Sequence, residues 1–438
     1  MRHPLDLLRT LVLVVVGLTL PLEYSRVELA GFPLTPNKVA AAALLGFVAL
    51  QWALERRPAR RDVKRLWVLF LAGAIAIGAV HSILRGLPAG AVLAILATWY
   101  TLILFYFMLI LTLDSRRSVE LLYVAFILGS ILAAVSGWLG IGAEVESVKY
   151  GERLSGEGGN PNLLAFNLIV GIAATVSFYF TARRAWVKML CAVGIVLMVA
   201  GVFGSLSRTA YLTLFIAAGF WAIRFRRVDF IKYAAPFLIV VVLAFALAPE
   251  RYSERLFSLT PEGIAEDRSA ASRFKNLPSI FTAIVRNPII GVGLGGFPSW
   301  AEEKGYYAKQ VHNAFLQVFV DHGVAGGVPF AAIFLLCWAE FVRASRIGRR
   351  LRHLHDRELA ILRMRAMMLE VAMMSAFVIS QSQPSMRHKG LWMLFATSTA
   401  ILGLARARAR ELVPEPEPAW HPGLAYERAP APSDASGG

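Results

Sequence analysis

The sequence is poor in charged residues, nearly lacks cysteine and has no ATP-binding loop. Charged residues make up 17% of the chain and hydrophobic residues 57%, whereas soluble domains carry about 25% charged residues. Cys191 and Cys337 both lie in apolar runs, so neither a disulfide framework nor a metal site follows from them. The chain has no Gly-x-x-x-x-Gly-Lys-Ser/Thr loop and no His, Cys or carboxylate cluster with metal-ligand spacing. The run Gly291-Val292-Gly293-Leu294-Gly295-Gly296 matches a dinucleotide fingerprint, but it lacks the strand–helix context and is interpreted as a tight turn. The sequence therefore does not indicate a bound nucleotide or metal ion.

Long apolar runs fill most of the chain instead. They recur at about 20 residues, the length that a helix needs to cross a bilayer. The sequence therefore predicts an all-α polytopic membrane protein, with a membrane domain over 1–412 and a disordered cytoplasmic tail over 413–438. About 12 transmembrane helices are predicted, at residues 6–23, 38–54, 66–84, 89–113, 119–142, 161–182, 186–204, 208–225, 230–248, 312–342, 362–382 and 389–405.

Basic residues account for the net charge of +16 and fall on every second loop between these runs. Such a charge would suggest nucleic-acid binding in a soluble protein, but here it follows the positive-inside rule. The rule predicts that both termini are cytoplasmic. The run Arg387-His388-Lys389 is an exception on the other side, where His388 is interpreted as a solvated loop residue.

The largest loop on the opposite side, residues 249–311, is predicted to contain short helices. Phe274, Leu277, Phe281 and Ile284 recur at helical spacing, which predicts a helix on the membrane surface. Pro278 either kinks this helix or marks its start.

Three residues on this side could support chemistry. His312 lies where the large loop meets the next apolar run, and an unperturbed histidine exchanges protons near pH 6.5. Arg208 begins a span and Arg273 begins the amphipathic stretch, so converging guanidiniums could bind phosphate oxygens. Simpler alternatives are a capping or buried histidine at 312, a snorkelling Arg208 and a headgroup contact at Arg273.

The order of four motifs resembles the O-antigen ligase/polymerase superfamily. The motifs are Asn160-Pro161-Asn162, Ser205-Leu206-Ser207-Arg208, Asn287-Pro288-Ile289-Ile290-Gly291-Val292-Gly293, and His312-Asn313-Ala314-Phe315-Leu316 continuing to Gly323 and Gly326; Arg273 stands between the second and third. Each motif is short, so the resemblance depends on the order of the motifs, their spacing and their predicted placement on the same side of the membrane.

The resemblance implies a GT-C-like membrane glycosyltransferase in a bacterial inner membrane, with a periplasmic site and no metal or cofactor. The donor would be a glycan on undecaprenyl diphosphate, and the acceptor lipid A–core oligosaccharide. His312 would activate the acceptor hydroxyl, while Arg208 and Arg273 would hold the diphosphate. Ser207, Asn162 and Asn313 would support them.

Two other functions remain open at this point. A polymerase would use the same donor with a second lipid-linked glycan as acceptor, and the sequence contains no motif for the acceptor. A transporter of lipid-linked glycans would be expected to show polar residues at mid-span or paired broken helices, whereas the polar candidates here collect at one face.

Overall fold

A computed structural model describes residues 4–22, 27–29, 32–55, 63–139, 160–224, 268–307 and 309–413. The predicted span at 230–248 lies outside these ranges. So does the predicted tail, apart from its first residue.

The described residues form helices α1 to α13 and one short hairpin. The hairpin pairs β1 (Val27–Leu29) with β2 (Phe32–Leu34) in antiparallel register, with Val27 opposite Leu34, and is the exception to the predicted all-α fold. The helices are α1 Pro4–Thr19, α2 Pro36–Glu55, α3 Val63–Leu84, α4 Ala89–Thr112, α5 Arg116–Trp138, α6 Pro161–Thr181, α7 Ala185–Gly204, α8 Arg208–Arg224, α9 Arg268–Arg286, α10 Phe297–Glu303, α11 Ala314–Arg350, α12 Arg357–Ser380 and α13 Lys389–Leu412.

Each predicted span within the described residues corresponds to one of these helices. Eight of the described helices are long and apolar enough to cross a membrane, namely α2 to α7, α11 and α13. Helices α1 and α8 are shorter, with 16 and 17 residues, and α12 carries several charged side chains. The chain is therefore a multi-pass helical membrane protein.

The bundle has two chemically different ends. One end, called here the His312 end, holds the start of α11, the α7–α8 turn and the α12–α13 connection. The opposite end, called the Lys64 end, holds the starts of α3, α5 and α7 and the ends of α8, α11 and α13, where most basic clusters lie. The positive-inside rule assigns the orientation of a membrane protein from this kind of difference in basic residues between the two ends.

A buried ion pair joins three helices near the Lys64 end. Lys64 is fully buried and pairs with Glu340 of α11, which is 7% exposed. The Lys64 ammonium also donates to the Phe395 carbonyl and to Ser398 Oγ of α13, both at 2.6 Å. These bonds satisfy all three donors of the ammonium, so α3, α11 and α13 are fixed relative to one another.

Helix α13 forms much of the centre of the bundle and packs against α4, α11 and α12. Trp392 is fully buried there, and its ring lies edge-on to those of Trp99, Tyr106 and Phe395. Aromatic pairs in this arrangement add about 0.5–1.5 kcal/mol each beyond their buried area. The bundle thus has a rigid centre on which the His312 end is built.

Candidate functional site

Helix α11 is interrupted at Gly323. This residue adopts φ 58° and ψ −154°, a conformation largely restricted to glycine. The interruption frees backbone groups that a continuous helix would pair internally. The preceding carbonyls of Val320 and Asp321 and the following amides of Val324 and Ala325 therefore need other partners.

Residues 287–296, called here the docking loop, supply those partners. The Val292 and Gly293 amides donate to the carbonyls of Val320 and Asp321 at 2.8 and 3.1 Å. On the other side of the break, the Val324 and Ala325 amides donate to the carbonyls of Pro288 and Ile289 at 2.8 and 3.1 Å. The third and fourth sequence motifs therefore form one structural unit.

The docking loop is also attached to the end of α3. The Leu294 amide donates to the Gly78 carbonyl at 3.1 Å, and Ser82 Oγ donates to the Leu294 carbonyl at 3.1 Å. Arg85 donates to the Val292 carbonyl and forms an ion pair with Glu303 at 2.8 Å. The loop is thus held between α3 and α11.

Helix α9 lies over this unit and confirms the predicted helix in the large loop. One face packs into a small separate core with α10 and the docking loop; its buried members include Ile280, Ala283, Phe297, Trp300 and Val311. The other face exposes Phe274, Phe281 and Val285. Pro278 lies inside the helix rather than at its start. The exposed apolar ridge is the surface expected of a helix at the membrane interface.

His312 lies in an extended segment just before α11. Its side chain is half-buried, and Nδ1 is shielded without a hydrogen-bond partner among the described residues. Burial lowers the pKa of His312 below its usual value, and the charges of Arg273 and Lys309 lower it further. The imidazole is therefore neutral at pH 7 and can accept a proton.

Arg273 and Lys309 place positive charge near His312, and Lys275 shares the Tyr307 ring with Lys309. Arg273 lies close enough to His312 for its charge to lower the pKa of the histidine. Lys275 and Lys309 lie over the Tyr307 ring, at 4.8 and 5.8 Å from its centre. The Asn276 side chain donates to the Lys309 carbonyl at 2.9 Å and so ties α9 to the His312 segment.

Asn313 fixes the start of α11. Its side-chain oxygen accepts the Leu316 amide at 3.0 Å, which is an N-cap, and its Nδ2 donates to Gln381 Oε1 at 3.0 Å. Gln381 caps the end of α12. Asn313 therefore positions His312 relative to α12.

Arg208, Ser207 and Asn162 lie together at another part of the His312 end. Ser207 Oγ donates to Asn162 Oδ1 at 2.6 Å and accepts the Ala210 amide at 3.2 Å, so it joins α6 to the start of α8. Leu206 adopts a left-handed φ of 50° in this turn, and Arg208 follows as the half-buried first residue of α8. Helix α12 packs against both α6 and α8 and also against α11. It thus connects this group to Asn313.

Sequence reasoning missed or misjudged three residues here. Lys309 was not singled out, although it stands three positions before His312. The interpretation of His388 as solvated was wrong: it is 3% exposed and its ring lies 4.7 Å from that of Phe166. Asp321 is buried at the break in α11, which no local pattern in the sequence indicates.

Residues 193–331 match the family model Wzy_C, described as O-Antigen ligase. This segment is an O-antigen ligase family domain. It contains Arg208, Arg273, His312 and Gly323, which confirms the resemblance drawn from the motifs. No curated protein matches the chain.

The O-antigen ligase domain therefore extends from α7, across α8, α9 and the docking loop, to the break in α11. Asn162 and Gln381, which contact Ser207 and Asn313, lie outside the matched segment. The candidate site therefore combines this O-antigen ligase segment with flanking helices of a multi-pass membrane protein.

Proposed function

We propose that the chain is a glycosyltransferase that moves a glycan from undecaprenyl diphosphate to lipid A–core oligosaccharide at the periplasmic face of a bacterial inner membrane. The observation that carries the proposal is the neutral, half-buried His312 beside Arg273 and Lys309. A base next to fixed cations suits the transfer of a group away from an anionic leaving group. The basic Lys64 end would face the cytoplasm.

In this mechanism His312 takes the proton of an acceptor hydroxyl. The acceptor oxygen then bonds to the anomeric carbon of the donor, and the bond from that carbon to the diphosphate oxygen breaks. Because Nδ1 is shielded from solvent, we assign proton acceptance to Nε2. Undecaprenyl diphosphate leaves with the bonding electron pair and a developing negative charge.

The negative charge that develops on the leaving diphosphate must be stabilised by cations in a partly desolvated site. Arg273 lies next to His312, and Lys309 adds a second cation there. Arg208 would complete the diphosphate site from the α8 side, since α8 contacts α12, which contacts α11. Cations positioned before reaction stabilise charge that develops in the transition state, a role that a metal ion fills in many other enzymes.

The exposed ridge of α9 supports a lipid-linked donor. Phe274 and Phe281 are 61% and 54% exposed on the same helix that carries Arg273. A helix that rests on the membrane with these rings would hold Arg273 at headgroup depth, where the diphosphate of a membrane-anchored donor lies.

The test is reconstitution of the purified protein with undecaprenyl-diphosphate glycan and, in separate tubes, lipid A–core or a second lipid-linked glycan. Glycosylated lipid A–core in the first tube alone would establish a ligase. Longer lipid-linked chains would make the protein a polymerase with the same donor. Donor crossing the bilayer without product would identify a transporter and refute the proposal.

The variant His312→Ala should lower the transfer rate at least about a hundredfold, since general bases contribute about 10²–10⁴, while donor binding persists. His353→Ala is the matched control, because His353 is exposed and lies at the Lys64 end. Arg208→Ala and Arg273→Ala should each weaken donor binding, whereas Arg183→Ala, at the exposed Lys64 end, should not. Normal turnover in His312→Ala would exclude the general-base role.

A further inference from the structure

A separate polar pocket lies beside the segment that carries His312. Its volume is about 190 Å³. Its walls come from α4, the docking loop, α10, the segment before α11, α11 itself and the α12–α13 connection. The lining residues that matter for its chemistry are Trp99, Phe297, Gln310, Gln317, Asp321 and Arg387. The proposed transfer step uses none of these residues.

Asp321 is the main polar group of this pocket. It is 6% exposed and receives hydrogen bonds from the Gln317 side chain and the Gly295 amide. Its Oδ1 nevertheless has no partner among the described residues. Buried carboxylate oxygens are normally paired, because the loss of hydration is costly. An unpaired oxygen in the wall of a pocket indicates a ligand that donates a hydrogen bond.

The break in α11 explains why Asp321 is placed there. Its backbone carbonyl accepts the Gly293 amide of the docking loop, so its position depends on the interruption at Gly323 rather than on a regular helix. A side chain on a fixed backbone presents its carboxylate with little loss of freedom on binding. The site is therefore built into the fold and does not lie on a free loop.

The other walls narrow the class of ligand. Trp99 and Phe297 offer aromatic surface, while Gln310 and Gln317 offer amides that both donate and accept. Arg387 in the lining could attract a phosphate, but a phosphate dianion has no donor for the unpaired Asp321 Oδ1. The polar lining also does not suit a polyprenyl chain. A hydroxyl-bearing ring with apolar C–H faces fits both the aromatic and the polar walls, and the volume holds a single such ring.

We propose that this pocket binds one sugar ring of a glycan substrate, with a ring hydroxyl donating to Asp321 Oδ1. The proposal deepens the proposed function and rests on it, since the glycan is that of the donor or of the acceptor. Val311 lines the pocket and directly precedes His312, so a ring bound here would lie next to the transfer site.

A substitution at the exposed rim of the pocket tests the proposal by filling the pocket with a large side chain. Gln310 is exposed, so Gln310→Trp should fold normally while the indole occupies the pocket. We expect KM for one of the two glycans to rise at least about tenfold, as when a site built for hydroxyl groups loses them, with a smaller change in kcat. Asp321→Asn, which keeps the shape and removes the charge, should raise the same KM.

Glu302→Trp is the matched control, since Glu302 is exposed on α10 and does not line the pocket. A rise in KM for the donor alone assigns the ring to the donor, and a rise for the acceptor alone assigns it to the acceptor. Unchanged KM values for both glycans in Gln310→Trp and Asp321→Asn, with thermal unfolding equal to that of the control, would overturn the proposal.

A direct binding measurement separates this proposal from the proposed function. Fluorescent lipid-linked glycan and lipid A–core are titrated separately into detergent-solubilised protein and into Gln310→Trp. If the unaltered protein transfers nothing yet binds a glycan, and Gln310→Trp weakens that binding, the sugar pocket stands and the transfer function falls. If the protein transfers glycan and Gln310→Trp binds both glycans normally, the pocket assignment alone is wrong.

Discussion

Replacing Gly323 with alanine tests how the docking loop fits into the break in α11. A Cβ at this position would lie 2.5 Å from the Pro288 carbonyl oxygen and closer still to the carbonyl of Ile289. Real Cβ atoms do not approach so closely, and the obstacles are backbone atoms that cannot rotate away. The docking loop must therefore shift outward in the variant.

Two contributions set the size of the effect. The conformation of Gly323 costs another residue about 1–3 kcal/mol. A shifted loop also loses the bonds from Val324 and Ala325 to the loop carbonyls, at about 0.5–1.5 kcal/mol each. The sum is roughly 2–6 kcal/mol in the free energy of unfolding. In a chain of 438 residues the entropy of unfolding is roughly 0.9 kcal/mol/K, so each kcal/mol lowers Tm by about 1 °C, and we expect a fall of about 2–7 °C.

Thermal unfolding in detergent, followed by tryptophan fluorescence, measures the effect. Gly86→Ala is the first control, because Gly86 has φ 86° and open space around its Cβ position, so it isolates backbone strain. Gly73→Ala in α3 is the second, since it has neither strain nor close neighbours, and alanine there should be neutral or stabilising by about 0.5–1 kcal/mol. A Gly323→Ala variant no less stable than Gly86→Ala would refute the close docking of the loop.

Three further predictions concern the cations around the site and the buried ion pair. Arg273→Gln removes a charge that lowers the pKa of His312, so that pKa should rise. The acid limb of the plot of kcat/KM against pH should therefore move to higher pH. A limb that does not move, or that moves no further than in the exposed control Arg286→Gln, would contradict this coupling. Glu340→Ala leaves the Lys64 ammonium buried without its carboxylate partner, which should cost about 3–5 kcal/mol. The double change with Lys64→Met should recover most of the lost Tm. Equal Tm values for the two variants would show that the charge is not the cause. Transfer should continue in EDTA if arginines stabilise the diphosphate, so a strict need for a divalent ion would exclude that role.

Local patterns in the sequence predicted the helical architecture and part of the candidate site. Apolar runs located the helices because each membrane span must satisfy its own backbone hydrogen bonds. Helical spacing located α9, although it could not show that Leu277 and Ile284 pack inward while Phe274 and Phe281 remain exposed. The position of His312 at a loop–helix junction could also be read from the sequence, because that junction is a local change in polarity.

The sequence by itself thus determined the membrane class, the approximate helix ends and the family resemblance, since each depends on residues close together in the chain. Tertiary structure alone decided the pairing of Asn313 with Gln381, the insertion of the docking loop at Gly323, and the burial of Asp321 and His388. These contacts depend on which helices become neighbours. Hydropathy cannot specify that choice, because in a bilayer an apolar helix face can pack equally against lipid or against another helix.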